Sequence, residues 1–500
     1  MAADSILTQT ARGAGWAIGW RLTTRLLGLV NTFVLVRLLV PGDFGLVAVA
    51  TGYAQAIAAL SALGIEEAVI RERAPTRAIY DTAFTINLLS GLATALVVAA
   101  SAWPAALFFK DPRLTGVLLA LAACAIVTAF ENIGTVEFRR DFAFHREFRL
   151  LVIPRLAAIG VTIAVAELTR SHWALVAGIA TSQVAWIAMG YAMHPHRPRL
   201  TLAAWRQLAG FSFWSWAIST AAMVRDRLDG FVIGRVLDLT LVGIYAVGTD
   251  IAVIPTYELA GPLSRACMPG FAAALRAGDN GAVAYLRILA GALLVAMPAG
   301  FGISLVADQV VLLALGPHWA AAAAIVRVVG IAGVSFVLGT ITASLLAAHA
   351  MLARGFAAGM LSLAIRLVAM LLLIPRFGLA GAAAGWAVAT TADNLLLLAV
   401  AFHRFRISPT DLLRQVWRGA AAVLLMALVL ERCGLGWTPA LATGPAIVSL
   451  IEAVGLGGAV YGGTLLVLWQ ICGRPEGGEA DLLRLLRGVA ARLPGRARHS

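Results

Sequence analysis

The first long apolar segment, Gly13 to Val40 (GAGWAIGWRLTTRLLGLVNTFVLVRLLV), constrains this chain more than any other stretch. Crossing a bilayer takes about 20 residues. The segment is long enough to do so, yet it carries Arg21 and Arg25 inside it. With about 3.6 residues per helical turn, Arg21, Thr24, Arg25, Gly28 and Thr32 share one narrow face. A guanidinium at membrane depth costs about 3 kcal/mol or more, so it faces a wet cavity or a partner. The first helix therefore predicts one wall of a cationic, water-filled cleft.

Similar apolar runs recur to the end of the chain. A 500-residue sequence that is 60% hydrophobic and 13% charged, with mean hydropathy +0.87, is not a soluble globular protein. It reads as an all-α polytopic membrane protein. A β-barrel is excluded because barrel strands are short and alternate apolar with polar residues. The first run is too long for a signal h-region and no small-residue cleavage site follows it, so no cleaved signal is expected. Hydropathy gives about 14 spans. They lie near 13–38, 43–64, 79–102, 114–133, 149–167, 173–193, 208–236, 240–263, 283–306, 321–349, 354–374, 379–402, 414–431 and 444–471.

The net charge of +13 is nearly all arginine, Lys110 being the only lysine. Arginines concentrated in alternate loops follow the positive-inside rule, and nucleic acid is not an expected partner. The side bearing Arg71, Arg139, Arg140, Arg197, Arg199 and both tails holds about 25 basic residues against about 7 opposite. Both termini are expected in the cytoplasm. The tail from Gly473 to Ser500 places Leu482, Leu483, Leu486, Val489 and Leu493 on one helical face among arginines. It reads either as an interfacial helix or as a frayed basic tail. Cys124, Cys267, Cys433 and Cys472 show no metal or redox spacing and read as inert.

Sliding the sequence by 198 positions lays RLLVPGDFGLVAVAT (Arg37 to Thr51) over RVLDLTLVGIYAVGT (Arg235 to Thr249). Arg37 meets Arg235, Gly45 meets Gly243, Thr51 meets Thr249 and, upstream, Trp16 meets Trp214. Six spans separate the copies, so both keep the same orientation. The expected architecture is two six-helix lobes related by a pseudo-two-fold axis along the membrane normal, with a further helix pair at the end. Its expected bounds are 1–200, 201–405, 406–472 for the last pair, and 473–500 for a cytoplasmic basic tail. Transporters built from parallel repeats bind substrate between the halves. On that model helices 1 and 7 face one another. Helix 7 offers a stripe of Ser215, Ser219 and Asp226 opposite the arginines.

VLVRLLVPGDFGLVAVA, the loop EEAVIRER, the Arg- and Phe-rich VEFRRDFAFHREF (Val136 to Phe148) and FSFWSWAISTAAMVRDRLDGFVIGRVLDLTLVGIYAVG together resemble the bacterial polysaccharide and lipopolysaccharide flippases. These belong to the multidrug/oligosaccharidyl-lipid/polysaccharide exporter superfamily. The resemblance covers most of residues 13–403; the last two spans match only in being apolar. It implies alternating access and a polyprenyl-diphosphate-linked oligosaccharide as substrate, moved across the bacterial inner membrane. It further implies that Arg21 and Arg25 grip the diphosphate. Membrane lipids, polysaccharide polymerase and glycosyltransferases are the partners it suggests, with no cofactor and no metal.

Other charges at membrane depth are candidates by position. Arg366 with Asp393 on the next helix reads as a buried pair or a substrate contact. Asp250 and Asp393 are candidate ion-coupling groups. Arg225 and Asp229, four apart, can pair. Arg155 and Arg327 are expected to snorkel from near their helix ends. Trp103, Phe108 and Phe109 read as an interfacial belt, and His194 and His196 as solvated loop residues. Pro255, Pro262 and Pro269 mark a possible bend in helix 8. No Walker A loop, HExxH or GxSxG motif is present, so an enzyme is not expected. Two other functions fit the same sequence: a cation-coupled drug exporter of the same fold and a non-transporting glycan-assembly scaffold.

Overall fold

The computed structural model describes residues 23–61, 65–72, 75–141, 143–209, 212–276, 281–349, 352–439, 442–475, 477–480 and 484. Among them the regular structure is helical throughout. Helix α1 is described over 23–38, and is followed by α2 (Pro41–Ser61), α3 (Ile65–Arg71), α4 (Arg77–Phe109), α5 (Arg113–Ala129) and a short α6 (Glu137–Arg140). Then come α7 (Phe144–Thr169), α8 (Trp173–Met193), α9 (Trp205–Ala209), α10 (Ser212–Val236) and α11 (Leu239–Arg276). The chain ends in α12 (Ala282–Leu305), α13 (Ala307–Ala314), α14 (Ala322–Ala348), α15 (Leu352–Phe405), α16 (Pro409–Arg432) and α17 (Thr443–Ile471).

Ten of these helices are long and apolar enough to cross a membrane, or eleven if α5 and the segment Ile133–Arg140, bent by 71°, form one span. Large apolar side chains lie bare on their outer faces: Leu96 is 72% exposed, Leu168 84% and Ile471 76%. Water does not tolerate such surfaces, whereas lipid supplies what they lack. The protein is an all-α polytopic membrane protein. Helix α10 fails the apolar criterion through Arg225, Asp226, Arg227 and Asp229, and α1 through the short stretch over which it is described. Helix α15 is two helices merged across a break at Gly378, whose φ of 57° and ψ of −130° suit a residue without Cβ. The chain turns there, just after Pro375. Helix α11 carries Pro255, Pro262 and Pro269 within Leu239–Arg276.

The chain forms two compact units, one through Ile244 and one from Tyr245. In the first, α4 and α5 form one hairpin and α7 and α8 another. The outer half of α1 seats Leu35 and Leu39 against Ala166 of α7 and Ala174 of α8. Helix α2 buries its first turns, with Gly45, Leu46, Val49 and Ala50 all inside. In the second unit, α12, α14 and the second half of α15 enclose Tyr285, Leu289, Val337, Ile341 and Phe405. Tyr285 Oη and Thr342 Oγ1 lie 2.8 Å apart in that core, meeting each other's hydrogen-bonding need.

The segment after α17 folds back on this unit. Trp469 Nε1 donates to the Pro475 carbonyl at 3.2 Å. Glu479 is then buried, and its carboxylate accepts from Arg418 Nε of α16 at 2.6 Å. The start of the tail is thus held by a buried ion pair; residues 485–500, where the amphipathic pattern continues, lie outside the described residues.

Candidate anion-binding face

Helix α1 carries the sequence-predicted cations. Arg25 is half-buried on it, with Thr24 and Thr32 also half-buried; Arg21 lies outside the described residues. Gly28 follows Arg25 on the same face. A Cβ at Gly28 would stand 2.8 Å from Arg155 Nη2, so the guanidinium of α7 rests directly on the α1 backbone. Nothing in the sequence signals this contact between α7 and α1. Helix α7 begins at Phe144, and Arg155 sits roughly 16 Å along it at 1.5 Å per residue. Hydropathy placed the span start near 149 because Arg146 and Arg149 depress the window average; the helix itself continues through them.

Helix α10 packs along α2 and the end of α4. Thr220 Oγ1 donates to the Ala59 carbonyl at 3.2 Å, and Tyr53 meets Phe231 edge-on with centroids 6.5 Å apart. Arg227 lays its methylenes over Gly52, Cδ standing 3.4 Å from a Cβ there, and its guanidinium donates to the Gln55 side-chain amide oxygen Oε1. Asp226 is exposed, with Arg225 Nε 3.8 Å from Oδ1, while Asp229 is buried. The side chains of Ser215 and Ser219 lie outside the described residues. Phe109 is not part of an interfacial belt: it is buried, packs against Phe231 and would stand 3.3 Å from a Cβ added at Gly234. Trp103 remains exposed, and Arg235 lies over the Phe108 ring at 5.2 Å.

In the second unit Arg366 is buried, donates from Nη2 to Thr390 Oγ1 at 3.2 Å and lies over Trp386 with Cζ 6.0 Å from the ring centre. One turn on, buried Asn394 donates from Nδ2 to Ser335 Oγ of α14 at 3.2 Å. Asp393 is half-buried on the same helix, and Asp250 is exposed on α11. Arg327 does not simply snorkel, for it bonds Asp308 of α13.

His194 and His196 are not solvated. His194 Nε2 lies 2.9 Å from Glu137 Oε2, and His196 Nε2 lies 3.4 Å from Asp81 Oδ1, both rings being almost wholly enclosed. Asn132 fastens the same segment, donating to the His196 carbonyl at 3.2 Å and accepting from Gly134 N–H at 3.0 Å. Beyond it, Arg199 N–H donates to Asp81 Oδ1 at 3.0 Å, Thr201 N–H to Thr85 Oγ1 at 3.0 Å and Ala204 N–H to Thr82 Oγ1 at 3.2 Å. The connection from α8 to α9 is thus strapped along the first turns of α4, because polar α4 side chains supply acceptors to backbone that lacks a strand or helix. Burial holds the His196 pKa below its ordinary value of 6.5, outweighing the pull of Asp81. A proline flanked by histidines gave no sequence signal of this, since the partners lie 57 to 122 residues away.

The described residues define a multi-pass helical membrane protein with Arg25 half-buried on its first helix. The fold matches a structure described as lipid II flippase MurJ in an inward closed conformation, with TM-score 0.72 over 92% of this chain and 99% of that one, at 11% identity. More narrowly, the chain belongs to the family described as polysaccharide biosynthesis protein, whose model matches residues 34–324. It is 25% identical over 317 residues to the succinoglycan biosynthesis transport protein ExoT of Rhizobium meliloti (strain 1021), covering 62% of this chain and 63% of that protein. It is 23% identical over 350 residues to the lipopolysaccharide biosynthesis protein WzxC of Escherichia coli (strain K12), covering 69% of this chain and 71% of that one.

Proposed function

We propose that the protein is a flippase that moves a polyprenyl-diphosphate-linked oligosaccharide across the bacterial inner membrane by alternating access, supplying exopolysaccharide, lipopolysaccharide or capsule assembly. The single observation that carries the reading is the half-buried Arg25 on the Thr24/Thr32 face of α1, within a largely apolar segment. A diphosphate accepts bidentate bonds from guanidinium groups, and a guanidinium in a wet crevice holds that head away from hydrocarbon. The transport roles named for ExoT and MurJ and the lipopolysaccharide role named for WzxC agree with it. The protein then works as a transporter without chemical catalysis.

On this reading the chain has 14 spans in two six-helix lobes, 1–200 and 201–405, with a last pair over 406–472 and both termini cytoplasmic. The reciprocal packing of Gly45 and Gly243, equivalent under the 198-residue shift, supports the repeat. Arg21, Thr24, Thr32, Ser215, Ser219, Asp226 and Arg366 join Arg25 in lining the path. Asp250 and Asp393 are the candidate coupling groups, Asp393 also being the proposed partner of Arg366. Polymerase and glycosyltransferases act before and after the flip. The test is to replace Arg21 and Arg25 with Ala, confirm membrane insertion, and assay surface polysaccharide in a strain lacking the native gene. Export is expected to fall at least tenfold; undiminished export defeats the gripping role.

A further inference from the structure

We propose that Arg155 of α7 is an additional cation of the α1 anion face, contacting the substrate's diphosphate, and that Gly28 is the notch that admits it. The inference rests on the flippase reading above and assigns a residue that reading did not use. Gly28 lies ten residues before the end of α1 at Leu38, roughly 15 Å at 1.5 Å per residue. That is half of a hydrocarbon core about 30 Å thick. Arg155, six residues past Arg149 on α7, brings its positive charge to this level of α1. No ion pair joins it to a carboxylate among the described residues. Its Nη2 instead sits 2.8 Å from the position of a Gly28 Cβ, which only a glycine leaves open.

Arg25 precedes Gly28 by three residues, a rise of roughly 4.5 Å on the same helix face. Two arginines from different helices thus lie at one short stretch of α1. Like charges in a low dielectric repel, and an anion held between them turns that repulsion into attraction. A diphosphate suits the site better than a monophosphate, because its two phosphoryl groups meet two separate guanidinium forks. The parallel course of α1 and α7, fixed further out by Leu35 and Leu39 against Ala166, keeps the two cations in register.

The full-length protein in detergent is titrated with farnesyl diphosphate, farnesyl monophosphate and farnesol. Arg155→Ala is expected to weaken diphosphate binding at least tenfold, to weaken monophosphate binding less, and to leave farnesol binding and the melting temperature unchanged. Arg155→Lys recovers part of the loss. Gly28→Ala, which displaces the guanidinium, weakens diphosphate binding comparably, and the double variant is no worse than either alone. Diphosphate affinity unchanged in Arg155→Ala but lost in Arg25→Ala overturns the role of Arg155 and leaves the flippase reading standing. Wild-type protein that prefers neither phosphate over farnesol overturns the reading beneath it. An equal loss for all three probes, or a matching fall in melting temperature, makes Arg155 a packing residue and also overturns the proposal.

Discussion

Gly45 and Gly243 abut backbone to backbone. A Cβ on Gly45 would stand 1.6 Å from the Leu239 carbonyl oxygen, and one on Gly243 2.1 Å from the Pro41 carbonyl oxygen. Residues 41 and 239, like 45 and 243, are equivalent under the 198-residue shift, so the contact is self-complementary about a local two-fold axis. Gly42 obeys the same rule, a Cβ there standing 3.3 Å from Oγ1 of its own equivalent, Thr240. Small residues let helix backbones approach this closely where lipid offers no hydrophobic drive.

Gly45→Val and Gly243→Val each force a side chain against a carbonyl that cannot swing aside. Overpacking of this kind costs about 1–3 kcal/mol. Each variant is expected to melt at lower temperature in detergent. The double variant falls by clearly less than the sum, because the first substitution already opens the shared contact. Strictly additive losses rule out a common contact.

The Arg418–Glu479 pair is almost wholly buried, with side-chain exposures of 7% and 4%. Removing one partner strands a buried charge, at a cost of about 3–5 kcal/mol. Glu479→Ala and Arg418→Ala are each expected to destabilise strongly and to speed proteolysis just after Gly473, where the chain turns. Arg418→Met with Glu479→Leu recovers most of the stability. A single-residue loss below about 0.5 kcal/mol, the scale of a surface pair, shows that the tail is not docked in solution.

Acidification is expected to loosen the strap formed by 194–204. The His196 pKa lies below 6.5 in the fold, so the released segment binds the proton more readily. The contribution of His196 is complete above pH 6.5 and is lost as pH falls from 6.5 through the lowered folded value. Asp81 and Glu137 oppose this, while His194 and Arg77 reinforce it. Limited trypsin digestion at Arg197 and Arg199 should accelerate below pH 6.5 in the wild type. His196→Gln should flatten that dependence; an unchanged pH profile in this variant removes His196 as its source.

Gly339→Ala places a Cβ 1.7 Å from Asn394 Oδ1, displacing the amide that donates to Ser335. A buried amide deprived of its partner costs about 1–3 kcal/mol. The melting temperature is expected to fall and to be partly restored by adding Asn394→Ala, which removes both the clash and the orphaned group. No restoration separates the two residues energetically.

The membrane class and most of the apolar spans were legible in the chain, because apolar length acts locally and survives without tertiary context. Gly45 and Gly243 stood out as equivalent positions; that they touch did not, since equivalence under a shift says nothing of distance. Arg155 gave no sign of meeting Gly28, since the two lie on helices far apart in the chain. His194 and His196 read as solvated because the groups that bury them, Asp81 and Glu137, come from distant elements. The sequence by itself determined that this chain crosses a bilayer many times and brings arginine into it, since the cost of exposed peptide and exposed charge in hydrocarbon leaves few alternatives. Only the tertiary structure decided which charges meet which partners, because pairing depends on helix register and on the few places, such as Gly28, where a missing Cβ lets one helix reach the backbone of another.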